Sequence, residues 1–259
     1  MRKPFIIANW KMNKNVHESV AFVKAIKEKL PVNKEIGIAA QAVSLYNMKK
    51  VAGSSNLQII AQNASAELEG PYTGEISMRS LADAGVTYVM LGHLERRRLF
   101  NESNDSINQK VLAALNAGII PIICTDEEMV QTEVNGKIHY VFRQLKSVLK
   151  GVPANKLSQI VISYEPSWAV GSTHQANPDI AEEGCQAIRQ SLVEMYGNEI
   201  GAQVRILYGG SVNPENIGQI MSKPNVDGAL IGRASLEIES FLQMINYIEL
   251  ASEQKLQVI

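Results

Sequence analysis

Glu165 follows an apolar run, Gln159-Ile160-Val161-Ile162-Ser163, and is followed at once by Pro166, Trp168 and a loop reaching Gly171. A carboxylate on a rigid strand end, beside a segment that closes over it, suits proton abstraction in a site that excludes water. Taken alone, such a Glu is more often half of an ordinary salt bridge. His93 stands between Gly92 and Leu94-Glu95-Arg96-Arg97, at an expected helix start, where the positive end of the helix dipole favours a neutral imidazole. A neutral ring N–H polarises a carbonyl while a carboxylate opposite takes a proton from the adjacent carbon. His17, His139 and His174 lack such a setting. Gly209-Gly210-Ser211 and Gly232-Arg233 offer backbone N–H groups of the kind that cradle a phosphate, although either pair alone would serve a tight turn equally well. Lys11, within Asn9-Trp10-Lys11-Met12-Asn13, adds a point charge, where an isolated lysine is ordinarily solvated surface. Together these groups specify proton abstraction next to a carbonyl of a small phosphorylated sugar. No metal-ligand cluster is visible, and the chemistry needs neither metal nor cofactor.

The elements that must position them are short, β-rich apolar runs at Phe5–Ala8, Ile36–Ala40, Leu57–Ala61, Tyr88–Leu91, Ile119–Cys124, Ile160–Ser163, Val204–Tyr208 and Gly228–Ile231. Their continuous apolar character predicts strands covered on both faces, as in a parallel sheet. Helical spacing lies between them. Val16, Val20, Val23 and Ile26 form one stripe, and Ser103 caps a helix through Ile107, Val111, Leu112 and Leu115 that Gly118 ends. Asn177-Pro178 and Asn213-Pro214 read as helix starts. Eight strand–helix units without a linker predict one (β/α)8 barrel domain over residues 1–259, an α/β fold. A doubly wound open sheet is the alternative, but no Gly-x-Gly-x-x-Gly follows the first strand. In a barrel, every polar feature named above falls at the rim formed by the carboxyl ends of the strands, where active sites gather.

Composition agrees with this frame. The chain has 259 residues, 46% hydrophobic and 20% charged, enough to bury a substantial core. A net charge of −1, from 25 basic and 26 acidic residues, argues against nucleic acid or an anionic membrane as partner. No apolar run approaches the roughly 20 residues of a membrane span. The basic N-terminus is followed by too short an apolar run for a signal peptide, and the two cysteines, Cys124 and Cys185, fit a reducing cytoplasm.

The motifs Asn9-Trp10-Lys11-Met12-Asn13, Gln62-Asn63, Thr73-Gly74-Glu75, Gly92-His93-x-Glu95-Arg96-Arg97, Tyr164-Glu165-Pro166-x-Trp168-Ala169-x-Gly171, Tyr208-Gly209-Gly210-Ser211-Val212 and Asp227-Gly228-Ala229-Leu230 cover the chain from end to end. With them the chain resembles the triosephosphate isomerase family. The pairing of a Glu base with a neutral His under a closing loop is that family's established pattern, and so belongs to the resemblance. The resemblance implies that Glu165 shuttles a proton between adjacent carbons and that His93 polarises the carbonyl and moves protons between the oxygens. It implies that Lys11 and Asn9 hold substrate and stabilise enediolate charge, with Glu95 orienting Lys11. Gly171, Ser211, Gly232 and Arg233 would supply phosphate-binding N–H groups, with Glu127, Trp168 and Tyr208 in support. It also implies a homodimer in which Thr73 approaches the partner's site and Glu75 pairs with Arg96 across the interface.

Some residues depart from the family pattern. Leu94 replaces a serine that would hydrogen-bond the Glu, removing a partner and adding apolar bulk. Thr173 replaces a lid glycine, His174 and Gln175 change the hinge, Asp126 stands in place of a glycine, and Arg233 replaces the second glycine of the phosphate loop. The expected activity is interconversion of dihydroxyacetone phosphate and D-glyceraldehyde 3-phosphate. Isomerisation of a four-carbon ketose phosphate, such as erythrulose phosphate, and an impaired paralogue kept for binding or scaffolding are the alternatives that these departures motivate.

Overall fold

The computed structural model describes residues 2–127, 134–166 and 177–248, leaving aside the side chains of residues 127 and 134–139. Eight parallel strands close into a barrel: β1 (Phe5–Asn9), β2 (Glu35–Ala40), β3 (Leu57–Ala61), β4 (Tyr88–Leu91), β5 (Ile120–Glu127), β6 (Val161–Pro166), β7 (Arg205–Tyr208) and β8 (Gly228–Ile231). Each pairs with its sequence neighbour, and β8 returns to β1 with Phe5 opposite Gly228. The predicted (β/α)8 architecture is the observed one; the open sheet is excluded by this closure.

The alternation of strand side chains explains why the sequence reads as apolar on both faces. Phe5 and Ile7 join Ile60, Met90, Ile122 and Leu207 in a cluster that fills the barrel interior. Ile6 and Ala8 turn outward to meet the helices, where the larger cluster includes Phe22, Leu45, Val111, Leu145 and Ile188. Both layers are removed from water, so neither face tolerates period-two polarity.

Local chemistry sets the helix starts. Asn15 and Glu18 form a reciprocal capping box before the helix Val16–Ile26. That helix buries Ser19, Phe22, Val23 and Ile26, with Val16 and Val20 only flanking, so the apolar stripe lies about one position away from the predicted one. Ser103 caps Asn104–Asn116 as predicted, and Asn177 caps Pro178–Tyr196 with proline in the first turn. The Asn213-Pro214 start does not hold: the helix runs Ile217–Met221. Asn213 Oδ1 accepts from the N–H groups of Glu215 and Asn216, while Asn216 Oδ1 accepts from the Asn213 N–H. These side-chain turns satisfy the backbone locally and delay the helix.

Both β5 and β6 end three residues beyond the runs the sequence suggests, at Glu127 rather than Cys124 and at Pro166 rather than Ser163, and the difference matters. β5 and β6 continue to the pairs Asp126 with Glu165 and Glu127 with Pro166. Glu165 is therefore held inside a ladder rather than on a loop, and Pro166 takes a terminal position where a missing N–H is tolerated.

Asp227, just before β8, ties the barrel to its surroundings. It accepts from Arg2 Nε and Arg189 Nη2, each at 2.6 Å, and from the Ile206 N–H at 2.9 Å. Asp227→Asn keeps the shape but strands two arginines without their shared counter-charge. It should lower stability by about 3 kcal/mol, read as an earlier midpoint of chemical unfolding.

Candidate active site

At the carboxyl rim, β1, β4, β6, β7 and β8 bring Asn9, Lys11, His93, Glu165, Ser211, Gly232 and Arg233 around one cavity of about 570 Å³. Glu165 is 1% exposed, and its carboxylate is held from two directions. Oε2 accepts from the Leu94 N–H at 3.0 Å, and Oε1 lies 3.4 Å from His93 Nε2. The expected loss of a partner at position 94 is thus made good by the main chain, and the leucine side chain, 7% exposed, adds the apolar cover. Burial, followed by the nearby Glu165 charge, pushes the Cys124 thiol well above its ordinary range, so it remains neutral beside the carboxylate.

His93 is the cap residue of the helix Leu94–Leu99. Its Nδ1 accepts from the Glu95 N–H at 3.2 Å, which leaves the ring proton on Nε2, facing Glu165 and the cavity. Glu95 Oε2 is 3.6 Å from Nδ1, beyond hydrogen bonding, and the Glu95 charge is engaged by Lys11. The turn before His93 requires glycine: Gly92 has φ +70°, and a Cβ there would lie 2.7 Å from Ile107 Cδ1.

Lys11 adopts φ +52°, a left-handed conformation uncommon outside glycine and costing on the order of 1 kcal/mol or more. Its surroundings impose that conformation. Its N–H donates to Asn9 Oδ1 at 3.0 Å, its carbonyl accepts from Gln62 Nε2 at 2.8 Å, and Nζ donates to Glu95 Oε1 at 2.6 Å. The same Gln62 nitrogen donates to the Ala39 carbonyl at 3.0 Å, tying the loop to β2.

Gln62 and Arg97 carry positioning that motif reading left without a role. Arg97 donates to the Gly92 carbonyl at 2.7 Å, to Asn104 Oδ1 at 2.7 Å and to the Cys124 carbonyl at 3.0 Å. It thereby locks the turn bearing His93 onto β5. An arginine four residues beyond the candidate histidine, on the helix that it opens, was the available signal.

The two glycine loops divide their work. The Gly209 N–H donates to the Tyr164 carbonyl at 2.8 Å and is not free for an anion. Its missing side chain instead makes room for the carboxylate, since a Cβ would lie 2.8 Å from Glu165 Cγ. Gly210 similarly clears Tyr208, whose hydroxyl would lie 2.1 Å from an added Cβ. The amides of Ser211, Gly232 and Arg233 donate to no protein acceptor among the described residues. Burial, with Cys185 second, raises the Tyr208 phenol above its ordinary value, and its hydroxyl has no hydrogen-bond partner among the described residues.

The remaining candidates lie elsewhere. Glu127 closes β5, but its side chain is outside the described residues, as are Trp168 and Gly171 with the lid positions Thr173, His174 and Gln175. Asp126 is buried at the end of β5, where Gln144 Oε1 accepts from its N–H and Arg98 lies 3.7 Å from its carboxylate. Thr73 and Glu75 are exposed on the loop after β3 and do not line the cavity. Arg96 donates to Glu102 at 2.5 Å within its own chain and stacks over Phe100.

A buried carboxylate, an imidazole N–H and an ammonium facing one cavity mark a barrel equipped to transfer protons at the carbon beside a carbonyl. Comparison with known proteins gives the same class. A family model described as triosephosphate isomerase matches residues 4–248. The chain is 45% identical to the triosephosphate isomerase of Lactobacillus gasseri over 249 residues, covering 95% of this chain and 99% of that one. It is 44% identical to that of Lactiplantibacillus plantarum over 249 residues (95% and 99%) and 45% identical to that of Streptococcus suis over 248 residues (95% and 99%). The chain belongs to the triosephosphate isomerase family.

Two predictions follow from this geometry. Gly209→Ala drives a methyl group into Glu165 and should reduce kcat about 10–100-fold, measured in steady state on variant protein whose melting temperature is checked alongside. The second concerns Glu102, which also accepts from Lys110 Nζ at 2.6 Å. Burial alone would raise its carboxyl, but hydrogen bonds from Lys110 and Arg96 and their charges outweigh burial and hold it below the ordinary value. A depressed carboxyl stabilises the fold above its unfolded pKa of about 4.3 and loses that contribution as pH falls through the folded value. Glu102→Gln should therefore cost about 1–3 kcal/mol near neutral pH. The gap from the native chain should close as unfolding is followed below about pH 4.

Proposed function

We propose that this chain interconverts dihydroxyacetone phosphate and D-glyceraldehyde 3-phosphate without a cofactor, as its family membership implies. The observation that carries the reading is Glu165 Oε1 at 3.4 Å from His93 Nε2, both facing the cavity that Lys11 and the two glycine loops complete. The Glu165 carboxylate removes a proton from the substrate carbon beside the carbonyl. The C–H electron pair becomes the carbon–carbon double bond as the carbonyl pair moves onto oxygen. His93 donates its Nε2 hydrogen bond to that oxygen, and the Lys11 ammonium and Asn9 amide stabilise the developing charge. His93 then carries a proton between the two oxygens, and Glu165 returns its proton to the neighbouring carbon. The free amides of Ser211, Gly232 and Arg233 hold the phosphate at the opposite end, with Gly171 expected to join them. Glu95 orients Lys11, and Glu127, Trp168 and Tyr208 support the lid.

The working form is a homodimer of one barrel domain over residues 1–259 in the cytoplasm. Leu68 and Tyr72, 51% and 45% exposed on the loop after β3, support this, as does Met12, 85% exposed beside Lys11; such apolar surface is a mark of an interface. Thr73 and Glu75 on that loop would reach the partner, with Arg96 receiving Glu75. Both cysteines are buried and free, in keeping with a reducing compartment. No helix among the described residues is long and apolar enough to cross a membrane.

Glu165→Gln removes the base while keeping its shape. Turnover of D-glyceraldehyde 3-phosphate in a coupled assay should fall by at least about 10²–10⁴. An unchanged rate would overturn the mechanism. Parallel measurement on a four-carbon ketose phosphate should give a lower kcat/KM, and a clear preference for it would replace the substrate named here.

A further inference from the structure

Two cations line the cavity, and they differ in what they already hold. Lys11 Nζ lies 2.6 Å from Glu95 Oε1, so much of its charge is offset before a ligand arrives. Arg233 is exposed at the cavity rim, and among the described residues its guanidinium meets no carboxylate and makes no hydrogen bond. The backbone just before Arg233 passes close to Lys11, since a Cβ added at Gly232 would be 3.7 Å from Lys11 Cε.

The charge balance gives this an electrostatic consequence. Of the two cations in the lining, Lys11 is already paired with Glu95, whereas Arg233 meets no carboxylate among the described residues. Arg233 adds a positive charge to the lining that no described carboxylate offsets. Its planar fork of donors also matches the oxygens of a phosphate, and its long stem allows the head to reach inward from the rim.

Resting on the isomerase reading above, we propose that the Arg233 side chain is a further substrate-binding group of this chain. It is a second cation that engages the phosphate dianion alongside the amides of Ser211, Gly232 and Arg233. Phosphate affinity then carries a salt-sensitive part that a glycine at this position could not supply. An exposed guanidinium is screened by added ions, whereas backbone amides in a cavity are screened far less.

The test compares the native chain with Arg233→Gly, Arg233→Gln and Arg233→Lys at about 20 mM and about 300 mM salt. One readout is the steady-state split between kcat and KM for D-glyceraldehyde 3-phosphate. The other is the rise in melting temperature with added inorganic phosphate, which reports binding without turnover. At low salt the Gly and Gln variants should raise KM about tenfold and weaken the phosphate-induced shift to match, as expected for loss of one charge-assisted contact. Lysine should recover most of the loss, and high salt should shrink the difference to about twofold or less. Native-like KM and phosphate response in the Gly and Gln variants would overturn the proposal. So would a defect that is salt-independent, or one that falls on kcat alone. If the native chain turns over no triose phosphate, the isomerase reading fails, while the melting-temperature readout still decides whether Arg233 binds phosphate.

Discussion

Closure of eight parallel strands is the constraint on which the other features depend. A closed parallel barrel sends every strand's carboxyl end to one rim, so residues from distant parts of the chain meet there without any special design of loops. It also removes both faces of each strand from water, which is why the strands are apolar throughout and why polar residues at their ends stand out. The pairing of β5 with β6 shows how closely the site depends on closure. The ladder extends past the apolar segment to Asp126 and Glu165, so the carboxylate inherits the rigidity of the sheet.

Within that rim, the functional groups are arranged as a chain of constraints rather than as independent side chains. Gln62 and Asn9 fix the backbone of Lys11, Lys11 engages Glu95, the Glu95 amide fixes the tautomer of His93, and His93 faces Glu165. Arg97 anchors the middle of this chain to β5. Orientation of charged and polar groups before substrate arrives is what makes electrostatic stabilisation effective, because little reorganisation remains to be done during the reaction. The left-handed backbone of Lys11 is a cost that these contacts impose and sustain.

Much of this was legible in the sequence, for identifiable reasons. Three of the eight strands, Leu57–Ala61, Tyr88–Leu91 and Gly228–Ile231, begin and end where the apolar runs do, because burial on both faces leaves a compositional edge at each end. β5 and β6 outran the reading because their last pairs use Asp126, Glu127 and Glu165, residues that composition assigns to loops. The helix after Asn213 starts late because Asn213 and Asn216 cap each other, a contest between two turn-forming side chains that spacing does not decide. Glu165, His93, Lys11 and the ends of the glycine loops meet in one cavity as expected. What sequence did not disclose was how Gly209 serves, since a glycine that donates its amide to the strand and yields space to a neighbour looks the same on paper as one that cradles an anion.

The hydrogen bond from the Leu94 amide to Glu165 has a bearing on how this site tolerates change. Every residue except proline carries a backbone N–H, so the contact survives almost any exchange of the side chain at 94. A role held by the main chain is nearly neutral to mutation. The side chain at 94 is held by packing rather than by this hydrogen bond, and divergence at a residue touching the base is no sign that the chemistry has been lost.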